Sequence, residues 1–310
     1  VQDFVKTDYS SVLSGKNYGG ANGKEIIYSD SFPAWTKDPR LEFQHLSLEM
    51  LWYQNNVHKL RLPSLDVMKD AGYNYAWFLK TPVIDPPLAL TQMMSYIQNH
   101  PLIDDINTET GIYYSSVNDM VQDAMELNCD AVANCTGLGS KSLREEKEKE
   151  LIGGRGVTVH YNRSSMRIES GLTYENDVAV TTEEEPWGTV TDPAYIIPRG
   201  KVLLVGGTCH MGDEEPYPRE KELTRMRRNA AHLGLIDTEK EDPINSWVGF
   251  RPCRPTICLK IENIDYSTYK NSFGRKRFPV CHNYGHGGSG WTVFIGAARE
   301  AARLLSSYEN

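Results

Sequence analysis

His282-Asn283-Tyr284-Gly285-His286-Gly287-Gly288-Ser289-Gly290-Trp291-Thr292 decides how this chain is read. Before it stands Phe278-Pro279-Val280-Cys281, a short strand candidate. After it, Phe294, Ala297, Ala298, Ala301, Leu304 and Leu305 recur at helical spacing, which predicts a last helix with that stripe buried. Glycines between a strand and a helix leave backbone amides bare at the helix N-terminus, where partial positive charge gathers. Such a place favours an anionic or electron-rich group. The spacing approaches GxGxxG, but no second strand and no ribose-binding acid follow it in the chain. A complete nucleotide-binding unit is therefore not expected to start here. Alone, the run reads equally well as a packing turn.

About thirty residues earlier, Gly249-Phe250-Arg251-Pro252-Cys253-Arg254-Pro255 places two arginines in a proline-stiffened segment. A guanidinium is the side chain suited to bidentate capture of a carboxylate. Residues three apart on an extended segment point to opposite faces, so one of the two can aim at a ligand. By itself the pair would pass for two surface arginines in a turn.

Residues 1–40 are rich in Gly, Ser, Asn and Lys, and Gly15 to Gly23 reads as loop. A helix is predicted over Leu41–Asn55 and a short strand over Tyr75–Leu79. Pro86-Pro87 opens a second helix, with Leu90, Met93, Met94 and Ile97 at helical spacing. A third follows Ser116, with Val117, Met120, Val121 and Ala124 on one face. Asp130 to Gly137 is a compact strand ending in a turn, an order typical of the late part of a dinucleotide-binding α/β domain. From Gly154 to Val205 the texture is β: strands at 156–161, 195–198 and 201–205, with Thr181–Trp187 as an exposed loop. A polar helix is predicted over 217–234.

The net charge of −8 excludes nucleic acid and anionic membrane surfaces as natural partners. Arg275-Lys276-Arg277 reads as a solvated loop, and Asn162-Arg163-Ser164 as a chance glycosylation triplet. No apolar run is long enough to span a bilayer. Six cysteines form no CxxC pair and no zinc spacing, so reduced thiols in an intracellular protein, with no metal site, are expected. The chain ends Ser307-Tyr308-Glu309-Asn310 rather than in a peroxisomal Ser-Lys-Leu, and begins with Val1. A fragment, a processed form or an incomplete chain is the expectation from that first residue.

Taken together, the two C-terminal runs resemble the signature of the FAD-dependent D-amino-acid and D-aspartate oxidases. Asn134-Cys135-Thr136-Gly137, Pro193-Ala194-Tyr195-Ile196-Ile197-Pro198 and Gly206-Gly207-Thr208 resemble further segments of that family in the same order. The resemblance implies an α/β fold: an FAD-binding Rossmann-like domain interleaved with a β-rich substrate domain. It divides the chain into an FAD part (1–60, 85–150 and 245–310) and a substrate part (60–85 and 151–245). It implies oxidation of a small D-amino acid by O2, with hydride transfer to the flavin and release of hydrogen peroxide. By the same resemblance Arg251 holds the substrate carboxylate, the Tyr195 hydroxyl supports it, and the Gly288 carbonyl accepts the amino group. Val117, Thr136 and Gly137 match contacts to the flavin nucleotide. Gly287, Gly288, Ser289, Gly290 and Thr292 match its pyrimidine edge, and His282 a place beside the ring system.

Departures qualify the match. The family's opening strand, GxGxxG turn and helix are expected to be missing, with Gly19-Gly20-Ala21 as a remnant of the loop that follows them. Such a chain is expected to hold flavin weakly. A second active-site tyrosine is Thr191 here, a glutamine is Val157, and the arginine of D-aspartate oxidases is Cys209. These losses keep a second reading open: a non-catalytic family member serving as a structural subunit. Homodimer and larger complex are both compatible with the sequence.

Overall fold

The computed structural model describes residues 5–14, 34–60, 62–144, 148–163, 178–183, 185–233, 236, 241–265 and 277–307. Its strands are β1 (Val5–Ser14), β2 (Gln44–Ser47), β3 (Tyr75–Ile84), β4 (Val132–Asn134), β5 (Ile152–Asn162), β6 (Val178–Thr182), β7 (Ala194–Arg199), β8 (Val202–Gly206), β9 (His210–Met211), β10 (Asn245–Asp265) and β11 (Arg277–His286). Its helices are α1 (Leu48–His58), α2 (Leu65–Asp70), α3 (Pro86–Gln98), α4 (Val117–Glu126), α5 (Ser140–Leu143), α6 (Glu220–His232) and α7 (Gly290–Ser306).

Two compact units share these elements. The first comprises Val1–Ile106, Gly156–Cys209 and Glu215–Val248, and the second Asn107–Arg155, His210–Glu214 and Gly249–Asn310. The sequence-based division differs, because it assigns 1–60 and 85–106 to the nucleotide part. The ladder from Val5↔Ile84 to Ser14↔Tyr75 ties the first of these segments to the β-rich unit.

In the first unit the strands run β2-β3-β1-β6-β7-β8-β5, antiparallel except for β1 beside β6. Alternation is sharp where one face is buried: Ala194, Ile196 and Pro198 of β7 point inward, as do Val178, Val180 and Thr182 of β6. Helix α6 closes that face with Met226 and Ala230, which join Val157, Val159, Tyr161 and Val205 in one core.

In the second unit β4 and β11 pair in parallel, and β11 pairs antiparallel with β10. Helix α4 precedes β4 and α7 follows β11, so each parallel strand has a neighbouring helix, in a Rossmann-like arrangement. Val117, Val121 and Ala124 of α4 pack with Phe278 and Val280 of β11.

Several expected elements are displaced. The predicted Leu41–Asn55 helix starts only at Leu48, because the Ser47 hydroxyl caps it by accepting from the Met50 amide. Residues 44–47 are instead a strand against β3. The strand expected at Tyr75–Leu79 continues to Ile84, since β1 pairs along it. The α3 stripe is real but uncovered: Leu90, Met94 and Ile97 are exposed and only Ala89 is buried. On α7, Ala298 is exposed whereas Ala297 and Ala301 are buried. In the expected Thr181–Trp187 loop, Thr181 and Thr182 end β6. Trp187 is buried there, its ring 4.9 Å from that of Tyr73 and its carbonyl accepting from Asn229. Gly19, Gly20 and Ala21 lie outside the described residues, as do Ser164, Arg275 and Lys276.

Candidate active site

Two residues from separate sequence runs meet in the second unit. A Cβ built on Gly288 would stand 3.6 Å from Arg251 Cδ and 3.8 Å from its Nε, so the guanidinium stem lies against that glycine. The Thr136–Gly137 turn joins them, with the Gly137 Cβ position 3.8 Å from Pro252 Cγ. Gly137 and Gly287 have φ of 57° and 56°, the left-handed region where glycine is favoured. Ahead of this site, β10 and β11 lose register between Cys253 and Cys258, and pair again at Cys253↔His286. Such a bulge re-aims the side chains beside it.

From Gly287 to Ser289 a 3-10 turn leads into α7, whose N-cap residue Ser289 makes no side-chain capping bond. The Ser289 side chain therefore takes none of the first-turn amides of α7. His286 Nε2 and Asn283 Oδ1, on the same run, are buried without a hydrogen-bond partner. An unpartnered His286 Nε2 directly before the Gly287–Ser289 turn fits a ligand that exchanges a hydrogen bond there. Gly288, Ser289 and Thr292 are exposed at this place.

Arg254 is turned to another task. Its Nε donates to Glu148 Oε1 at 2.7 Å, its Nη2 to Glu150 Oε2 at 3.2 Å, and its Nη1 to the Thr256 carbonyl at 2.8 Å. Glu148 Oε2 accepts from the Tyr284 hydroxyl at 2.6 Å, and that hydroxyl accepts from Arg144 Nη1 at 2.7 Å. Arg144 Nη2 continues to Glu262 Oε2 at 2.9 Å, which also faces His282 Nε2 at 2.9 Å. Two guanidiniums and three carboxylates, Glu150 at the exposed end, are thus linked in one network. Burial alone would raise the Glu148 carboxyl, but Tyr284, Arg254 and Arg144 outweigh it and hold it below the usual value. Burial, together with the hydrogen bonds around its hydroxyl, pushes the Tyr284 phenol up.

The network fixes the His282 tautomer. Asn134 Oδ1 accepts from the Thr136 amide and hydroxyl, so Asn134 Nδ2 is the donor facing His282 Nδ1 at 3.0 Å. Nδ1 therefore accepts, and Nε2 carries the proton that Glu262 receives. Burial, then the Arg144 charge, lowers the His282 pKa, consistent with a neutral ring.

Placed residue by residue, the sequence-based assignments fare unequally. Arg251, Gly288, Gly287 and the Thr136–Gly137 turn come together. His282 is fully buried within β11 with both nitrogens engaged. Val117 has its side chain in the α4 core, which leaves only its backbone for a ligand. Arg144, Glu148 and Glu262 were not picked out by sequence reasoning, since Arg144 and Glu148 stand in a charged run that looks solvated.

Tyr195 belongs to the first unit, on β7 opposite Gly206 of β8. A Cβ on Gly206 would fall 2.2 Å from the Tyr195 ring, and one on Gly207 2.4 Å from its hydroxyl. The glycine pair is thus the bed of that ring. Half-buried Arg225 holds the bed in place by donating to the Gly207 and Asp192 carbonyls at 2.6 and 3.1 Å. The Cys209 amide donates to the Thr191 carbonyl at 2.8 Å. Gly206→Ala is expected to expel the ring at a cost of about 1–3 kcal/mol. Thermal denaturation and the Tyr195 resonances of labelled protein check this, and an unshifted ring would refute it.

Among the described residues no helix is long and apolar enough to cross a membrane, and no cluster of potential metal ligands occurs. The family described as "FAD dependent oxidoreductase" matches residues 32–304. A D-amino acid oxidase of Dugesia ryukyuensis is 29% identical over 180 residues, covering 58% of this chain and 46% of that protein. D-aspartate oxidase 1 of Caenorhabditis elegans is 40% identical over 189 residues, covering 58% and 47%. The matched stretch thus spans about half the length of these relatives. Glycine oxidase of Bacillus cereus shares the fold at a TM-score of 0.58 and 14% identity, covering 99% of this chain and 74% of that one. With the family match running through α4, β4, β11 and α7, the chain belongs to the FAD-dependent oxidoreductases of the D-amino-acid oxidase type.

Proposed function

We propose that this chain carries the substrate-oxidising part of an FAD-dependent oxidase acting on D-amino acids with neutral or polar side chains. The observation that supports it most is the Arg251 stem against Gly288 at the foot of α7. Bound FAD would supply the electron acceptor for the hydride of the substrate α-carbon. Arg251 anchors the carboxylate through a bidentate pair, and the Gly288 carbonyl accepts from the amino group. Held at two points, the α-carbon can turn only one face to the acceptor, which orients its hydrogen. The N-terminus of α7, to which Ser289 adds no side-chain cap, would stabilise negative charge beside it. Cys209 offers no charge to a substrate side-chain carboxylate, which argues against D-aspartate.

A peroxide-coupled assay on flavin-loaded protein tests the proposal, with D-alanine, D-methionine, D-aspartate, glycine and their L-counterparts as substrates. Turnover of neutral D-amino acids well above D-aspartate is expected. Preference for glycine or L-amino acids would refute the substrate class. A yellow protein with no turnover on any of them would leave the structural-subunit reading.

A further inference from the structure

Within the first unit lies a cleft of about 640 Å³ that the oxidase chemistry does not use. Its floor is β5, where Val159 and Tyr161 stand two residues apart and so face the same way. One wall is a single face of α6: Glu220, Leu223, Thr224, Arg227 and Arg228, at the spacing that aligns residues on a helix, with the one carboxylate a full turn or more from the arginines. Pro243, Asn245 and Ser246 make the other wall, tethered to the floor by the Ile244 amide donating to the His160 carbonyl at 2.8 Å.

Tyr161 is fully buried, yet its hydroxyl has no hydrogen-bond partner. A buried phenol left unsatisfied is costly, and phenylalanine would pack the same core without that cost. Its phenol is pushed up by burial and lies within electrostatic reach of Arg227 and Asp242. Arg227 is joined to Asp242 at 2.7 Å, and Arg228 stands exposed on the same helix face. The cleft therefore offers an oxyanion the Arg228 guanidinium, a share of the Arg227 guanidinium that Asp242 also holds, and hydroxyl donors, with Glu220 at the far end of the same face; it offers an apolar body Val159, Leu223 and Pro243. Its size is that of a small-molecule site.

We propose that this cleft binds a small organic anion, a carboxylate or phosphate carried on an apolar group, with Tyr161, Arg227 and Arg228 at the charged end. The test is isothermal titration of the purified protein with phenyl phosphate and, separately, with phenylacetate; the tighter of the two identifies the headgroup. One saturable site is expected. Arg228→Ala should weaken it about tenfold or more, as loss of a charge-assisted bond does. Tyr161→Phe should weaken it several-fold while raising the melting temperature of the ligand-free protein, because the orphan hydroxyl is gone. Arg251→Ala should leave the phenyl phosphate site unchanged. Absence of saturable binding by either probe would overturn the assignment. So would affinity that survives both Arg228→Ala and Tyr161→Phe.

Discussion

Arg251→Ala is expected to lower kcat/KM for a neutral D-amino acid by two to three orders of magnitude, on the order of 3–5 kcal/mol. The change removes a bidentate pair and leaves a partly desolvated carboxylate without a counter-charge. Arg251→Lys should recover only part of the loss, since an ammonium cannot reproduce the planar fork. Arg254→Ala should act on stability instead, because that guanidinium is committed to Glu148 and Glu150. Steady-state oxidase kinetics on flavin-loaded variants separate the two arginines. Near wild-type kcat/KM for Arg251→Ala would remove it from the site.

Glu148→Gln should be the most destabilising exchange in the second unit. The side chain is 1% exposed and serves Arg254 and Tyr284 at once, while Arg144 lies beside them at 5% exposure. Removing its charge strands buried guanidinium, for which about 3–5 kcal/mol is usual. Chemical denaturation reads this directly, and a loss below about 1 kcal/mol would show that the network is slack. The same groups predict acid sensitivity. His282 is lowered from 6.5, so as pH falls below that value the unfolded chain takes up a proton that the folded ring refuses, and stability drops. Glu148 is lowered from 4.5, so its contribution is present above that pH and is lost as pH falls through and below it. Two successive losses are therefore expected on acidification, and His282→Gln should remove the first.

How much of this was legible in the sequence depended on the range of the interaction. Local signals held: Pro86 opens α3, Ser116 caps α4, and the glycine run after β11 leads into α7. Period alone could not say what covers a face, and the α3 stripe of Leu90, Met94 and Ile97 is exposed although its spacing is correct. The strand β2 was missed because its pairing partner lies about thirty residues away, beyond any local pattern. Motif resemblance brought Arg251 and Gly288 together, but it gave His282 the same weight as the glycines. Only the partners across the sheet, Asn134 and Glu262, show that this ring braces the fold. Glu148 was hidden for the opposite reason. Lys149 and Glu150 beside it are charged and exposed, and nothing in an acidic run announces which carboxylate turns inward.

The tautomer imposed on His282 has a consequence for spectroscopy. An imidazole proton held on Nε2 by Glu262, in a ring with no solvent exposure, exchanges with water only when the strand around it opens. In nitrogen-labelled protein it should persist as a sharp, far-downfield resonance long after surface histidines have become silent. Its decay in heavy water would then serve as a clock for the breathing of β11, read from one nucleus at the centre of the second unit.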